Sequence, residues 1–221
     1  MESPVNVYPL AKSKRLLALE LRVRDREADK SSFTGYSDQI IRLLLEKAME
    51  LLPYREKVVT SPVGATFVGL ELDARVCAVS IVRAGESMEP EFRTLLPDAP
   101  IGKMMIQRDK VTKQPKYYCA NLPDDVAQRH VMLLEPMLAT GGSATVAIEE
   151  LLKRGVRQEH IIFVNLLCSP SGIAELADKF PLVRFVTASI EERMNQHAFM
   201  IPGIGDFGDR YFGTTDSGAR V

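Results

Sequence analysis

Five short apolar runs recur along the chain: VCAVSIV at 76–82, IGKMMI at 101–106, VMLL at 131–134, IIFVNLL at 161–167 and LVRFV at 182–186. They are rich in β-branched residues and, apart from the mixed run at 101–106, almost continuously apolar. That pattern predicts strands covered on both faces, as in a parallel sheet. The segments between them repeat at helical spacing. In 142–154, Ala144, Ala147, Ile148 and Leu151 share one side, Lys153 and Arg154 fall in the last turn, and Gly155 follows at the C′ position. Upstream, Ser37 is placed to cap a helix whose apolar stripe is Ile40, Ile41, Leu44, Leu45, Ala48, Leu51 and Leu52, with Pro53 as its stop. Strands alternating with helices predict an α/β domain built on a mainly parallel sheet flanked by helices.

Three segments depart from that rhythm. Residues 1–35 are polar, with Lys12, Lys14 and Arg15 clustered and mixed charges from Arg22 to Lys30, and are expected to form an N-terminal arm or an oligomer contact. Residues 107–122, with Pro115, Tyr117 and Tyr118, predict a β-arm or flap. The tail carries Gly203, Gly205, Gly208 and Gly213 and predicts a cap folded over the end of the sheet. The expected organisation is therefore an arm (1–35), an α/β core (36–199) that includes the β-arm, and a C-terminal hood (200–221).

Composition narrows the function. With 221 residues, 46% of them hydrophobic, the chain suits one large domain. The net charge of -1 leaves any anionic ligand to local groups and lacks the basic excess of a nucleic-acid binder. No apolar run reaches the roughly 18 residues that span a bilayer. The opening MESPVNVYPLAKSK lacks a signal peptide's apolar core, so a cytoplasmic, soluble protein is expected. Cys77, Cys119 and Cys168 are widely spaced and suggest neither a metal cluster nor a disulfide framework; Cys77 and Cys168 read as small buried hydrophobes. His130, His160 and His197 neighbour no nucleophile and read as surface or strand-edge polarity.

Chemistry concentrates in three segments. In VMLLEPMLATGGSA (131–144) a buried strand ends in Glu135, and a short bend through Thr140-Gly141-Gly142-Ser143 opens the next helix. Small residues there let backbone N–H groups converge on a phosphate, and the helix N-terminus adds free donors and a positive dipole end. The acid at the strand end can accept hydrogen bonds from ribose hydroxyls. A Walker A loop is excluded because no Gly-Lys-Ser/Thr ending is present. In SIVRAGESM (80–88), Arg83 stands at the mouth of the sheet, suited to an anion, and Gly85 permits close backbone approach. In MIPGIGDFGDRYFGT (200–214) a formal GxGxxG occurs, but only 13 residues follow Gly208, too few for a dinucleotide-binding βαβ unit. That loop reads instead as a cap offering backbone donors and acceptors to a small planar base. Asp209 and Arg210 are expected to form a local ion pair.

The words EPMLATGGS resemble the PRPP-binding signature of type I phosphoribosyltransferases, in the form typical of the uracil phosphoribosyltransferase family, where the first residue is usually Asp rather than Glu135. RAGESM resembles eukaryotic members. The resemblance covers roughly residues 35–215, with all three segments in the family's order. It implies the type I phosphoribosyltransferase fold with a β-arm and hood, and the products UMP and pyrophosphate from uracil and 5-phosphoribosyl-1-pyrophosphate (PRPP). It implies a PRPP site of Arg83, Ala84, Gly85, Arg108, Glu135, Pro136, Met137, Leu138, Ala139, Thr140, Gly141, Gly142, Ser143 and Asp206, with pyrophosphate at Arg83 and Arg108. Met200, Gly205, Asp206 and Phe207 would contact uracil. Asp206, Arg108 and Glu135 are the expected catalytic residues, and Mg²⁺ would arrive on the pyrophosphate with no direct protein ligand. Such domains commonly form dimers or tetramers, and GTP is a candidate effector, as in some relatives.

Two other readings stay open. A purine-base transferase is disfavoured because Pro136, not a second acid, follows Glu135. A nucleotide-binding regulatory homologue with weak or no turnover is favoured by Glu135 itself, whose extra methylene relative to Asp shifts a catalytic carboxylate. An RNA-binding regulator would need a basic face that the net charge does not suggest.

Overall fold

A computed structural model describes residues 5–108, 115–196 and 199–214, excluding the side chain of residue 108. The main-sheet strands are β1 (Val7–Pro9), β4 (Val76–Val82), β5 (Ile101–Arg108), β6 (Pro115–Asn121), β7 (His130–Leu134), β8 (Met137–Leu138), β9 (Ile161–Cys168) and β10 (Arg184–Ile190). Two small ribbons complete the β-structure, β2 (Tyr54–Thr60) with β3 (Thr66–Leu72), and β11 (Arg193–Met194) with β12 (Met200–Ile201). The helices are α1 (Lys14–Arg24), α2 (Lys30–Met49), α3 (Glu89–Leu95), α4 (Gly142–Lys153), α5 (Pro170–Lys179) and α6 (Phe207–Phe212).

The main sheet runs β1-β10-β9-β7-β4-β5-β6, with β8 beside β9. Every pairing is parallel except β5 with β6, which are antiparallel. The predicted mainly parallel sheet is thus present. Period-two alternation explains why its central strands are apolar throughout. On β4, Val76 and Ala78 face the α1–α2–α3 layer, while Cys77, Val79 and Ile81 face α4 and α5. On β9, Ile162 and Val164 belong to the first face, and Ile161 and Phe163 to the second. Each strand therefore carries two cores at once. Burial pushes the Cys77 thiol up to about 12 and the Cys168 thiol up to about 11, as expected of cysteines that act as small hydrophobes.

The N-terminal third differs from the expectation. Residues 14–24 form α1, capped by Ser13, whose side chain accepts from the Leu16 N–H at 3.1 Å. Its Leu16, Leu19 and Val23 are core residues, each at most 2% exposed. Helix α2 starts at Lys30, with Asp29 accepting from the Ser32 N–H at 2.7 Å, so Ser37 is not its cap. Ser37 instead continues the buried stripe Phe33, Ser37, Ile40, Ile41, Leu44, Leu45 and Ala48. The polar first turns of α2 hide that stripe's beginning, because only Phe33 marks its phase before Ile40.

The ribbon β2–β3 pairs from Tyr54↔Leu72 to Thr60↔Thr66 and is separate from the main sheet. Every residue of β2 is exposed. The described part of the predicted β-arm at 107–122 is the end of β5 and the antiparallel β6, and both strands belong to the main sheet, with β6 at its edge; residues 109–114 of the arm lie outside the described residues. His130 and His160 stack at the starts of neighbouring strands, with ring centroids 4.2 Å apart and buried Nδ1 atoms that have no hydrogen-bond partner among the described residues. Burial and the neighbouring His160 and arginines lower the His130 pKa to about 4. His197 lies outside the described residues.

Candidate active site

Parallel strands end together, so their C-terminal edge gathers loops into one crevice. Here β4 delivers Arg83, β7 delivers Glu135, and the hood folds across from the other side. Between them lies a cavity of about 520 Å³, within the range of about 300–1,000 Å³ usual for small-molecule sites. Arg83, Ala84, Glu135, Met137, Ala139, Ser143, Met200, Gly205, Asp206 and Phe207 all line it. Of the sequence-predicted residues, Gly85, Pro136, Leu138, Thr140, Gly141 and Gly142 do not line it, and the side chain of Arg108, at the end of β5, lies outside the described residues.

The bend before α4 has the glycine-rich turn and helix start that its composition predicts. Gly141 occupies the N-cap position of α4 at φ 76°, and α4 starts at Gly142. The bend is anchored from behind. The Ala139 carbonyl accepts from Ser169 Oγ at 2.5 Å, and the Pro136 carbonyl from the Leu166 and Leu167 N–H groups at 2.9 and 3.1 Å. Pro136 and Leu138 are buried and support the bend from within the fold.

Arg83 follows β4 and leads into a 3-10 turn over Ala84–Met88. Gly85 is needed there by contact: a Cβ would stand 2.2 Å from the Leu134 carbonyl oxygen, on the neighbouring β7. Arg83 donates to Asp209 at 2.8 Å and to Thr214 Oγ1 at 2.9 Å, which ties it to the hood. The expected Asp209–Arg210 pair is therefore corrected. Arg210 turns the other way and donates to the Val23, Ile204 and Asp25 carbonyls, its guanidinium 4.1 Å from the Phe33 ring centroid.

In the hood, Asp206 caps α6, its side chain accepting from the Asp209 N–H at 2.9 Å. Phe207 contributes to the cavity wall, but its ring is 1% exposed and packs on Phe33 and Tyr211, so its reach toward a ligand is through the backbone. Tyr211 donates to Asp38 at 2.7 Å and to the Ser87 carbonyl at 3.3 Å, joining α6 to α2 and to the turn after Arg83. Gly203 sits at φ 67°, where a Cβ would meet the Met200 carbonyl oxygen at 2.2 Å. The lining residues Val82, Ile106, Gln107, Phe199, Gly203, Ile204 and Gly208 were not singled out for the site by sequence reasoning. Val82, Phe199, Gly203, Ile204 and Gly208 lie in or beside the segments 80–88 and 200–214, and Ile106 and Gln107 immediately precede Arg108, so proximity was the available signal.

The mainly parallel sheet with helices on both faces is the type I phosphoribosyltransferase fold. Adenine phosphoribosyl transferase from Trypanosoma brucei shares the fold, with a TM-score of 0.57 over 98% of this chain and 92% of that one at 14% identity. A solved structure from Aquifex aeolicus aligns with a TM-score of 0.83 at 26% identity, covering 95% of this chain and 99% of its own. The family model "Uracil phosphoribosyltransferase" matches residues 11–214. Curated uracil phosphoribosyltransferases are 48% identical in Dictyostelium discoideum, over 98% of this chain and all of that protein, and 45% identical in Saccharomyces cerevisiae, over 94% and 96%. This chain belongs to the uracil phosphoribosyltransferase family.

Proposed function

We infer that the chain transfers the phosphoribosyl group of PRPP to N1 of uracil, forming UMP and pyrophosphate. One observation carries this reading: a single cavity is lined by the phosphate bend, through Glu135, Met137, Ala139 and Ser143, and by the hood, through Met200 and 203–206. A sugar phosphate on the first and a base on the second would have their reacting atoms side by side, which supplies proximity without covalent catalysis.

In this reading the amides and hydroxyls of 139–143 hold the 5′-phosphate, and Glu135 accepts from the ribose hydroxyls. Arg83 and Arg108 bind the pyrophosphate and stabilise charge developing on it. Uracil N1 attacks C1 of the ribose from the face opposite the breaking C1–O bond, the electron pair leaves with pyrophosphate, and the configuration inverts. Asp206 accepts a hydrogen bond at or near N1 and takes up its proton. Arg83 must exchange its Asp209 and Thr214 partners for pyrophosphate oxygens, which couples that site to the hood. Glu135 and Asp206 are the carboxylates on the cavity wall, and no group of three or more His, Cys, Asp or Glu among the described residues could hold a metal, so a hard cation would take most of its ligands from diphosphate and water. Mg²⁺ bound with PRPP would add charge neutralisation on the leaving group.

The finer statements follow the same logic. The ribbon β2–β3 exposes Val58, Val59, Phe67, Val68 and Leu70, between 45% and 70% exposed, on a two-stranded sheet joined to no other strand. An isolated ribbon is marginal in water and its edges invite pairing. A second copy of the chain, related by a two-fold axis, covers it, and the protein works as a homo-oligomer. No helix among the described residues is long and apolar enough to cross a membrane, and a cytoplasmic setting suits the substrates.

The test is an assay with PRPP and Mg²⁺ in which uracil, hypoxanthine and xanthine are offered separately. UMP formation with little turnover of either purine is expected. A purine nucleotide as the main product, or no nucleotide at all, overturns the reading.

A further inference from the structure

The hood segment 203–206 lines the cavity, and one of the residues that fix it, Arg24, comes from the far end of the sequence. Glu191, just past β10, is 4% exposed. Its carboxylate accepts from the Gly203 N–H at 2.6 Å and from both terminal nitrogens of Arg24, at 2.9 and 2.6 Å. Arg24 Nη1 also donates to the Gly203 carbonyl at 3.2 Å. Both polar groups of the Gly203 backbone, at a φ of 67°, are thus held by one ion pair. One residue on, the Ile204 carbonyl receives Arg210, which also donates to the Val23 and Asp25 carbonyls at the end of α1. Burial alone would depress the Arg24 guanidinium, but Glu191, with Glu20, more than offsets this and its pKa is raised, so the guanidinium stays charged.

A buried ion pair is weak support for stability, because desolvation consumes most of its attraction. It is strong support for geometry, since a bidentate fork against a carboxylate admits one arrangement. Geometry is what the hood needs: Gly203, Ile204 and Gly205 have no side-chain polar group, so a base there is read by the direction of N–H and C=O bonds. We propose that Arg24 and Glu191 are positioning residues for the base subsite, and that α1 thereby sets affinity for uracil. The proposal rests on the uracil transferase reading and extends it to a helix with no residue on the cavity wall.

Steady-state kinetics of Arg24→Ala, Arg24→Lys, Glu191→Gln and a control, Leu19→Ala, test it alongside thermal unfolding. Leu19 lies in the buried face of α1, so its truncation loosens the helix without touching the ion pair. Expected are uracil KM values raised about tenfold or more in Arg24→Ala and Glu191→Gln, PRPP KM within about twofold of wild type, and partial recovery in Arg24→Lys. Leu19→Ala should lower the melting temperature and keep the wild-type uracil KM. Should Arg24→Ala fail to fold, Glu191→Gln and Arg24→Lys give the same reading. Unchanged uracil KM in the ion-pair variants, a parallel rise in PRPP KM, or an equal rise in Leu19→Ala would overturn the proposal. A wild-type protein that forms no UMP would overturn the uracil reading itself, and the positioning role with it.

Discussion

At the scale of single residues, Asp206 has two tasks that one substitution can separate. Its carboxylate caps α6, and asparagine caps a helix about as well as aspartate. Asp206→Asn should therefore melt within a degree or two of wild type, yet lower kcat by a factor on the order of 10² if it takes the N1 proton. Wild-type kcat in a folded Asp206→Asn protein would remove the residue from the mechanism. Motif residues such as Arg83, Glu135 and Ser143 were legible because their neighbours in the chain already spell a strand end and a helix start. The partners of Arg83 were not, since Asp209 and Thr214 lie more than 120 positions away. Arg210 likewise ignores the acid beside it, because helix geometry turns adjacent residues about 100° apart and points this guanidinium at α1.

At the scale of elements, the bend leading into α4 offers a direct test. A Cβ on Gly142 would come 3.2 Å from Pro115 Cγ on β6, so the two extra methyl groups of valine must displace the bend or the strand. Gly142→Val should weaken PRPP binding at least about tenfold in calorimetry, a loss of about 1.4 kcal/mol; retained affinity would argue against the phosphate cradle. The starts of β7 and β9 give a second test, through the stacked pair His130 and His160. The His130 pKa is about 4 when folded and near 6.5 when unfolded, so the unfolded chain binds more protons between these values. This contribution is fully present above about pH 6.5 and is lost as pH falls toward about 4. In His130→Phe the melting temperature should fall less between pH 6.5 and 4.5 than in wild type, and equal slopes would exclude the pair as the cause. Strands and α4 could be read from sequence because buried strands need continuous apolar runs and surface helices need a stripe. Helix α1 could not, because exposed Leu17 and Leu21 blur its apolar stripe and Glu20 interrupts the buried side marked by Leu16, Leu19 and Val23.

At the scale of the whole molecule, we propose that the exposed ribbon β2–β3 is the contact through which copies of the chain assemble. Val58→Lys with Phe67→Lys places charge on that ribbon without touching the cavity. Sedimentation should show the wild type as a dimer or larger and the double variant shifted toward monomer; a monomeric wild type, or an unmoved variant, would remove the ribbon from the interface. Composition and patterning alone determined that this chain makes a two-faced parallel sheet, since only burial on both sides tolerates such apolar strands. Local spelling likewise determined the bend into α4, the turn after Arg83 and the glycine-rich hood, because each is a continuous stretch whose backbone demands are met largely by its own residues. Only the tertiary structure decided that the bend and the hood close one cavity, that Asp209 holds Arg83, and that Arg24 and Glu191 clasp Gly203. Those are meetings of residues from different elements, most of them far apart in the chain, and they depend on how the layers pack, a property that no local window of sequence contains.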